Sequence, residues 1–86
     1  MGYPVAYTPD ALRGLGQLDS RVQETVLDIV EAIAARPFTP RRRSSGGLCV
    51  TDFVHETEGV RETVFIISQV DHARHIVNVV RIAHFR

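Results

Sequence analysis

The stretch from Arg61 to Arg86 constrains this chain most. It reads RETVFIISQV, then the polar segment DHARH, then IVNVVRIAHFR. Two runs rich in Val, Ile and Phe flank five polar or small residues, and each exceeds the roughly five or six residues of an ordinary strand. Their continuous apolar content predicts strands in the middle of a sheet, covered on at least part of both faces. Arg81, His84 and Arg86 make the end of the second run polar again. A strand that leaves the core in this way places groups capable of chemistry at its exit.

The segments before it supply the rest of a small domain. Tyr3 to Tyr7 (YPVAY) reads as a short strand, which Pro4 confines to an edge or a strand start. Thr8, Pro9 and Asp10 then open a helix: a side-chain cap, a proline at the first helical position and a carboxylate at the positive end of the dipole. Ala11, Leu12, Leu15 and Leu18 supply its apolar face, and Gly14 and Gly16 keep it short. A second helix is predicted over residues 20–36. Ser20 and Gln23 have the spacing of a capping box, and Val22, Val26, Ile29, Val30, Ile33 and Ala34 form an apolar stripe that Pro37 ends. Residues 38–47 (FTPRRRSSGG) form a linker of turn formers, Leu48 to His55 a strand, and Glu56 to Gly59 a turn into the strand opening at Val60 or Arg61.

The order is therefore β-α-α-β-β-β, an α+β domain over residues 1–86. Both helices are expected on one face of a small antiparallel-rich sheet, with the first strand returning to pair inside it. At 86 residues the core is marginal unless a partner adds buried surface. The formal charge is zero, which argues against a dedicated nucleic-acid binder. All ten cations are Arg, a bias that genome composition explains better than phosphate recognition does. A single cysteine, Cys49, excludes an internal disulfide, fits a reducing cytoplasm, and reads as a small buried hydrophobe in its strand. The N-terminus lacks a signal pattern and no run is long enough to span a bilayer, so a soluble cytoplasmic protein without membrane contact is expected.

Three groups of residues could carry chemistry. His84, with Arg81, Arg86 and Arg61, could combine an acid–base imidazole with cations that hold a phosphate. The competing reading is a solvent-touching histidine at a strand end and an Arg61 paired on the surface with Glu56 or Glu58. Arg41, Arg42 and Arg43 could contact phosphates or an acidic protein, or form a solvated loop. His72 and His75 flank a turn with Asp71 and read as polar turn residues rather than metal ligands. No cofactor or metal site is expected.

The whole arrangement resembles the RelE/ParE superfamily of small toxins from bacterial type II toxin–antitoxin pairs. The resemblance spans the chain: an opening Y-x-V-x-Y-T-P-x-A-L, a long helix ending at Arg36-Pro37, Gly47-Leu48 entering a strand, G-V-R at 59–61, the V-F-I-I strand, and the closing I-V-N-V-V-R-I-A-H-F-R. It implies the toxin of such a pair, neutralised by a cognate antitoxin protein. Similarity to the ribosome-dependent mRNA endonucleases of the superfamily implies Arg61 as a phosphate or transition-state ligand, His84 as the acid–base group and Arg86 as a further phosphate contact. Phe85 falls where some relatives carry a catalytic Tyr and could stack on a base. Arg81 and the 41–43 arginines would bind substrate. Similarity to ParE would instead imply inhibition of DNA gyrase by binding, without catalysis. The acidic second strand, with Asp52, Glu56 and Glu58, leaves a third reading of a non-toxic binding module that kept the fold.

Overall fold

The structure, a computed structural model, describes residues 2–38 and 47–86. Six elements follow in order: β1 (Val5–Tyr7), α1 (Pro9–Gly16), α2 (Ser20–Ala35), β2 (Cys49–Thr57), β3 (Val60–Asp71) and β4 (Ile76–Phe85). The strands form one sheet in the order β1-β4-β3-β2. β1 runs parallel to β4, and the other two pairings are antiparallel. Among the described residues no helix is long and apolar enough to cross a membrane.

The two apolar runs do form the central strands. Both helices lie on one side, as expected, so the helix-facing side is buried and the other face is only part-covered. Along β3, Val64, Ile66 and Ser68 are buried while Phe65 and Ile67 between them are only half-covered. β1 does not enter the interior of the sheet; it sits at the edge beside β4. Pro4 explains this, since it lacks an N–H for a second neighbour and uses its carbonyl to accept from Val77 N at 2.9 Å.

Helix α1 starts as its sequence demands. The Thr8 hydroxyl accepts from Ala11 N at 3.1 Å and donates to the Val80 carbonyl, tying the helix start to β4. The apolar face of α1 departs from expectation. Leu12 is exposed, and Gly14 is buried in its place, because Ala11, Gly14, Leu15 and Leu18 follow the i, i+3, i+4, i+7 pattern and Leu12 lies a further 100° round. Gly14 touches the β4 backbone, where any Cβ would collide with the Ile82 carbonyl oxygen.

The cap of α2 is Asp19 rather than Ser20. Its carboxylate accepts from Arg21 N at 2.9 Å and from Val22 N at 3.3 Å. Gln23 makes no capping box; its amide reaches back to the carbonyls of Leu15 and Leu18, at 2.8 and 3.1 Å, and pins the turn between the helices. The α2 stripe packs as its spacing requires. Val22, Val26 and Val30 meet Val64, Ile66, Val79 and Ile82 in the main core, while Ile33 and Ala34 cover Val77. Cys49 is buried and free of disulfide bonding.

The β2–β3 connection is tighter than the sequence suggested. The strands extend to Thr57 and Val60, leaving Glu58 and Gly59 as a two-residue turn with positive φ of 52° and 79°, the backbone that matches strand twist. At the other end, Asp71 accepts from Arg74 N at 3.1 Å to close the β3–β4 turn, and His75 sits at φ 56°.

One irregularity governs the rest. The β3–β4 register runs Ile67↔Arg81 and then Ser68↔Val79, so Val80 has no partner and forms a β-bulge. Before the bulge, Val77 and Val79 face the helices. After it the parity inverts: Ile82 and His84 face the helices, and Arg81, Ala83 and Phe85 face the open side.

Candidate functional site

Because of that inversion, the expected site residues divide between the two faces of the sheet. On the helix side, the ends of β2, β3 and β4 meet the α1–α2 connection around a cleft of about 250 Å³. Glu62 stands at its centre with a largely covered side chain. His84 Nδ1 lies 3.2 Å from Glu62 Oε2, and Arg86 Nε lies 3.7 Å from the same oxygen. His55 stands directly across the β2–β3 ladder from Glu62, and its Nε2 is 2.7 Å from the Thr57 hydroxyl. Gln17, Asp19 and Val22 close the cleft from the helices.

This arrangement has a definite protonic logic. With Nδ1 protonated, His84 can donate to the Glu62 carboxylate, the tautomer that leaves Nε2 as the nitrogen that can take or release a proton. Arg86, largely exposed, neutralises part of the carboxylate charge while presenting donors outward. Three ionisable groups on one carboxylate oxygen or directly beside it can hold an oxyanion and move a proton.

The open face carries the other expected residues. Arg61 pairs with Glu56 across the ladder, Nε to Oε2 at 3.7 Å, both well exposed. This is the surface ion pair that the sequence allowed as the competing reading. Arg81 borders a shallow, largely apolar groove of about 310 Å³ with Val50, Phe65, Ile67, Ala83 and Phe85. Phe65 and Phe85 meet edge to face with centroids 5.7 Å apart, and Phe85 is 62% exposed.

The structure thus brings His84 and Arg86 together, sets Arg81 and Phe85 together on the opposite face, and places Arg61 with that second group. Arg41, Arg42 and Arg43 lie outside the described residues. Glu62 and His55 escaped the sequence reading. Their only signal there was position: both fall on the helix-facing parity of their strands, two residues inside the strand ends that flank the β2–β3 turn. Among the described residues no group of three or more His, Cys, Asp or Glu is arranged to hold a metal ion.

No protein-family model matches this chain, and no curated protein matches it at a significant level. Solved structures do. The toxin–antitoxin complex RelBE2 of Mycobacterium tuberculosis contains a chain with a TM-score of 0.72 and 21% identity, aligned over 99% of this chain and 100% of that one. In the intact Escherichia coli RelBE toxin–antitoxin complex the values are 0.74 and 17%, over 94% of each chain. The archaeal RelE–RelB complex of Pyrococcus horikoshii gives 0.64 and 12%, over 96% of this chain and 94% of that one. The class of protein defined here is one with the RelE fold, two helices against a four-stranded mixed sheet in the order β-α-α-β-β-β.

Proposed function

We propose that this chain is the toxin of a type II toxin–antitoxin pair, an endoribonuclease acting on mRNA at the ribosome and silenced by a cognate antitoxin. The likeness to chains solved within RelBE toxin–antitoxin complexes supports the pairing. The observation that carries the chemistry is the His84–Glu62–Arg86 cluster in an open cleft. In this reading His84, oriented by Glu62, takes the proton of an RNA 2′-hydroxyl. The 2′-oxygen attacks the adjacent phosphorus, and the bond from phosphorus to the 5′-oxygen breaks. His55 returns a proton to that leaving oxygen, giving a cyclic 2′,3′-phosphate and a free 5′-hydroxyl. Arg86 stabilises the charge that gathers on the phosphorane oxygens.

Arg61, Arg81 and Phe85 then serve on the other face as contacts for the substrate strand rather than at the bond that breaks. Expression of the wild-type chain alone should arrest growth with loss of intact mRNA, and His84→Ala should restore growth. Arrest that persists in folded His84→Ala removes the cleft from the mechanism.

One observation favours a second reading. The groove bounded by Phe65, Phe85 and Ile67 is mostly apolar, a surface suited to a protein target such as DNA gyrase, as a ParE-like inhibitor would need. A supercoiling assay with purified gyrase separates the two, since an RNA-cleaving toxin leaves supercoiling unchanged. A chain harmless in both assays is the non-toxic binding module.

A further inference from the structure

At the end of the sheet remote from the cleft, four rings from three separate segments gather on the surface. Tyr3 comes from the approach to β1, Phe38 from the exit of α2, and His72 and His75 from the β3–β4 turn. Phe38 and His72 stack with their planes 14° apart and centroids at 4.8 Å. Tyr3 meets Phe38 edge-on at 6.0 Å and lies tilted by 41° against His75 at 5.3 Å, and its hydroxyl lies 3.1 Å from His72 Nδ1. The cleft lies about 30 Å away, the length of β4.

Phe38 is 76% exposed and both imidazoles are exposed as well. Phe38, which has no polar atom on its ring, is left outermost, fixed parallel to a neighbour that is itself held by Tyr3. His75 adopts a left-handed backbone (φ 56°) that a branch-free turn residue such as Gly would take with less strain. Beside the rings, Arg74 projects into solvent with 84% of its side chain exposed, at 3.9 Å from Asp71.

We infer that Tyr3, Phe38, His72 and His75 form a stacking site for an unpaired nucleobase, with Arg74 as the contact for its phosphate. Flat exposed rings take any base by its π-face, imidazole nitrogens beside the stack offer both donor and acceptor to base edges, and a guanidinium supplies the phosphate partner. Sugar or peptide ligands would use the rings but have no need of this combination with an exposed guanidinium. The site holds single-stranded RNA at the far end of the molecule from the cleft. It goes beyond the proposed cleavage reaction and does not depend on it.

Binding of fluorescently labelled single-stranded RNA octamers tests the site, using His84→Ala protein so that no cleavage intervenes. Phe38→Ala should weaken binding about tenfold, Phe38→Trp should keep or tighten it, and Phe38→Leu should behave as Phe38→Ala. Arg74→Gln should weaken binding and reduce its salt dependence by about one phosphate contact. An octamer of abasic sugar–phosphate should bind as weakly to the parent protein as the base-containing octamer binds to Phe38→Ala. The ring signals of His72 and His75 in NMR spectra should move on addition of the octamer, in shifts that a purely structural cluster would not show. Equal affinity for abasic and base-containing octamers overturns the inference, as does unchanged affinity in both Phe38→Ala and Arg74→Gln. No measurable binding by the parent protein overturns it too. Loss of binding in an RNA-cleavage-competent chain with an intact cleft would leave the cleavage reading standing, so the two fail separately.

Discussion

His84 and Arg61 lie at the same end of adjacent strands yet project from opposite faces of the sheet. His84 pairs in register with Val64, three residues along from Arg61, and an odd separation on a strand means opposite faces. Only a long detour round the strand end would let both touch one phosphate. The cleft that contains His84 therefore recruits Glu62, whose Oε2 is 3.2 Å from Nδ1, and not Arg61.

The close approach of α1 to β4 gives a stability prediction with a sign. Gly14→Ala would gain up to about 1 kcal/mol in helix propensity. The added Cβ, however, meets the Ile82 carbonyl, a backbone atom that cannot swing aside. Overpacking of this kind costs about 1–3 kcal/mol, and the obstacle being backbone puts the expected value at the upper end. Urea denaturation should show Gly14→Ala destabilised by roughly 1–2 kcal/mol net. A more stable variant would mean that α1 rides off the sheet at no cost.

Capping of α2 makes a second prediction. Asp19 accepts from the first free N–H groups of the helix, so Asp19→Ala should lose about 1 kcal/mol. Ser20 caps nothing, and Ser20→Ala should fall within about 0.5 kcal/mol of wild type. Thermal melts of the two variants side by side check the assignment. Equal losses would return the cap to Ser20.

Alkaline behaviour follows from Tyr7. Burial lifts its phenol above the ordinary value of 10.0, and the nearby Glu31 carboxylate pushes in the same direction. The folded state thus favours the neutral phenol more than the unfolded chain does. That contribution is complete below pH 10, where both states hold the proton, and is lost as pH rises toward and through the folded value. Stability measured by urea midpoint should decline more steeply above pH 10 in wild type than in Tyr7→Phe. Parallel curves would mean that the phenol ionises alike in both states.

Much of the fold was legible because local rules agreed with it. Thr8 and Pro9 mark the start of α1, the stripe from Val22 to Ala34 marks α2, and two long apolar runs mark the central strands. The errors have physical sources. Asp19 and Ser20 are adjacent residues with equal capping ability, and the choice depends on where the α1–α2 turn leaves the backbone. Leu12 is apolar but falls off the buried face, and solvent tolerates a lone leucine. The candidate site was less legible. His84 and Arg86 could be named from the strand end, but which face they occupy rests on the Val80 bulge, an alignment of two strands that no single run of residues encodes. Glu62 and His55 become neighbours of His84 only through that alignment.

The most direct measurement is cleavage of ribosome-bound mRNA by four purified proteins: wild type, His84→Ala, Glu62→Gln and Arg61→Ala. With the cleft as the seat of proton transfer, His84→Ala should lose about a hundredfold or more in rate. Glu62→Gln should follow it in lost rate, because the imidazole loses the carboxylate that orients it, and Arg61→Ala should stay within several-fold of wild type. A large loss in Arg61→Ala with His84→Ala and Glu62→Gln near wild type would contradict this, and would move the chemistry to the open face beside Arg81 and Phe85.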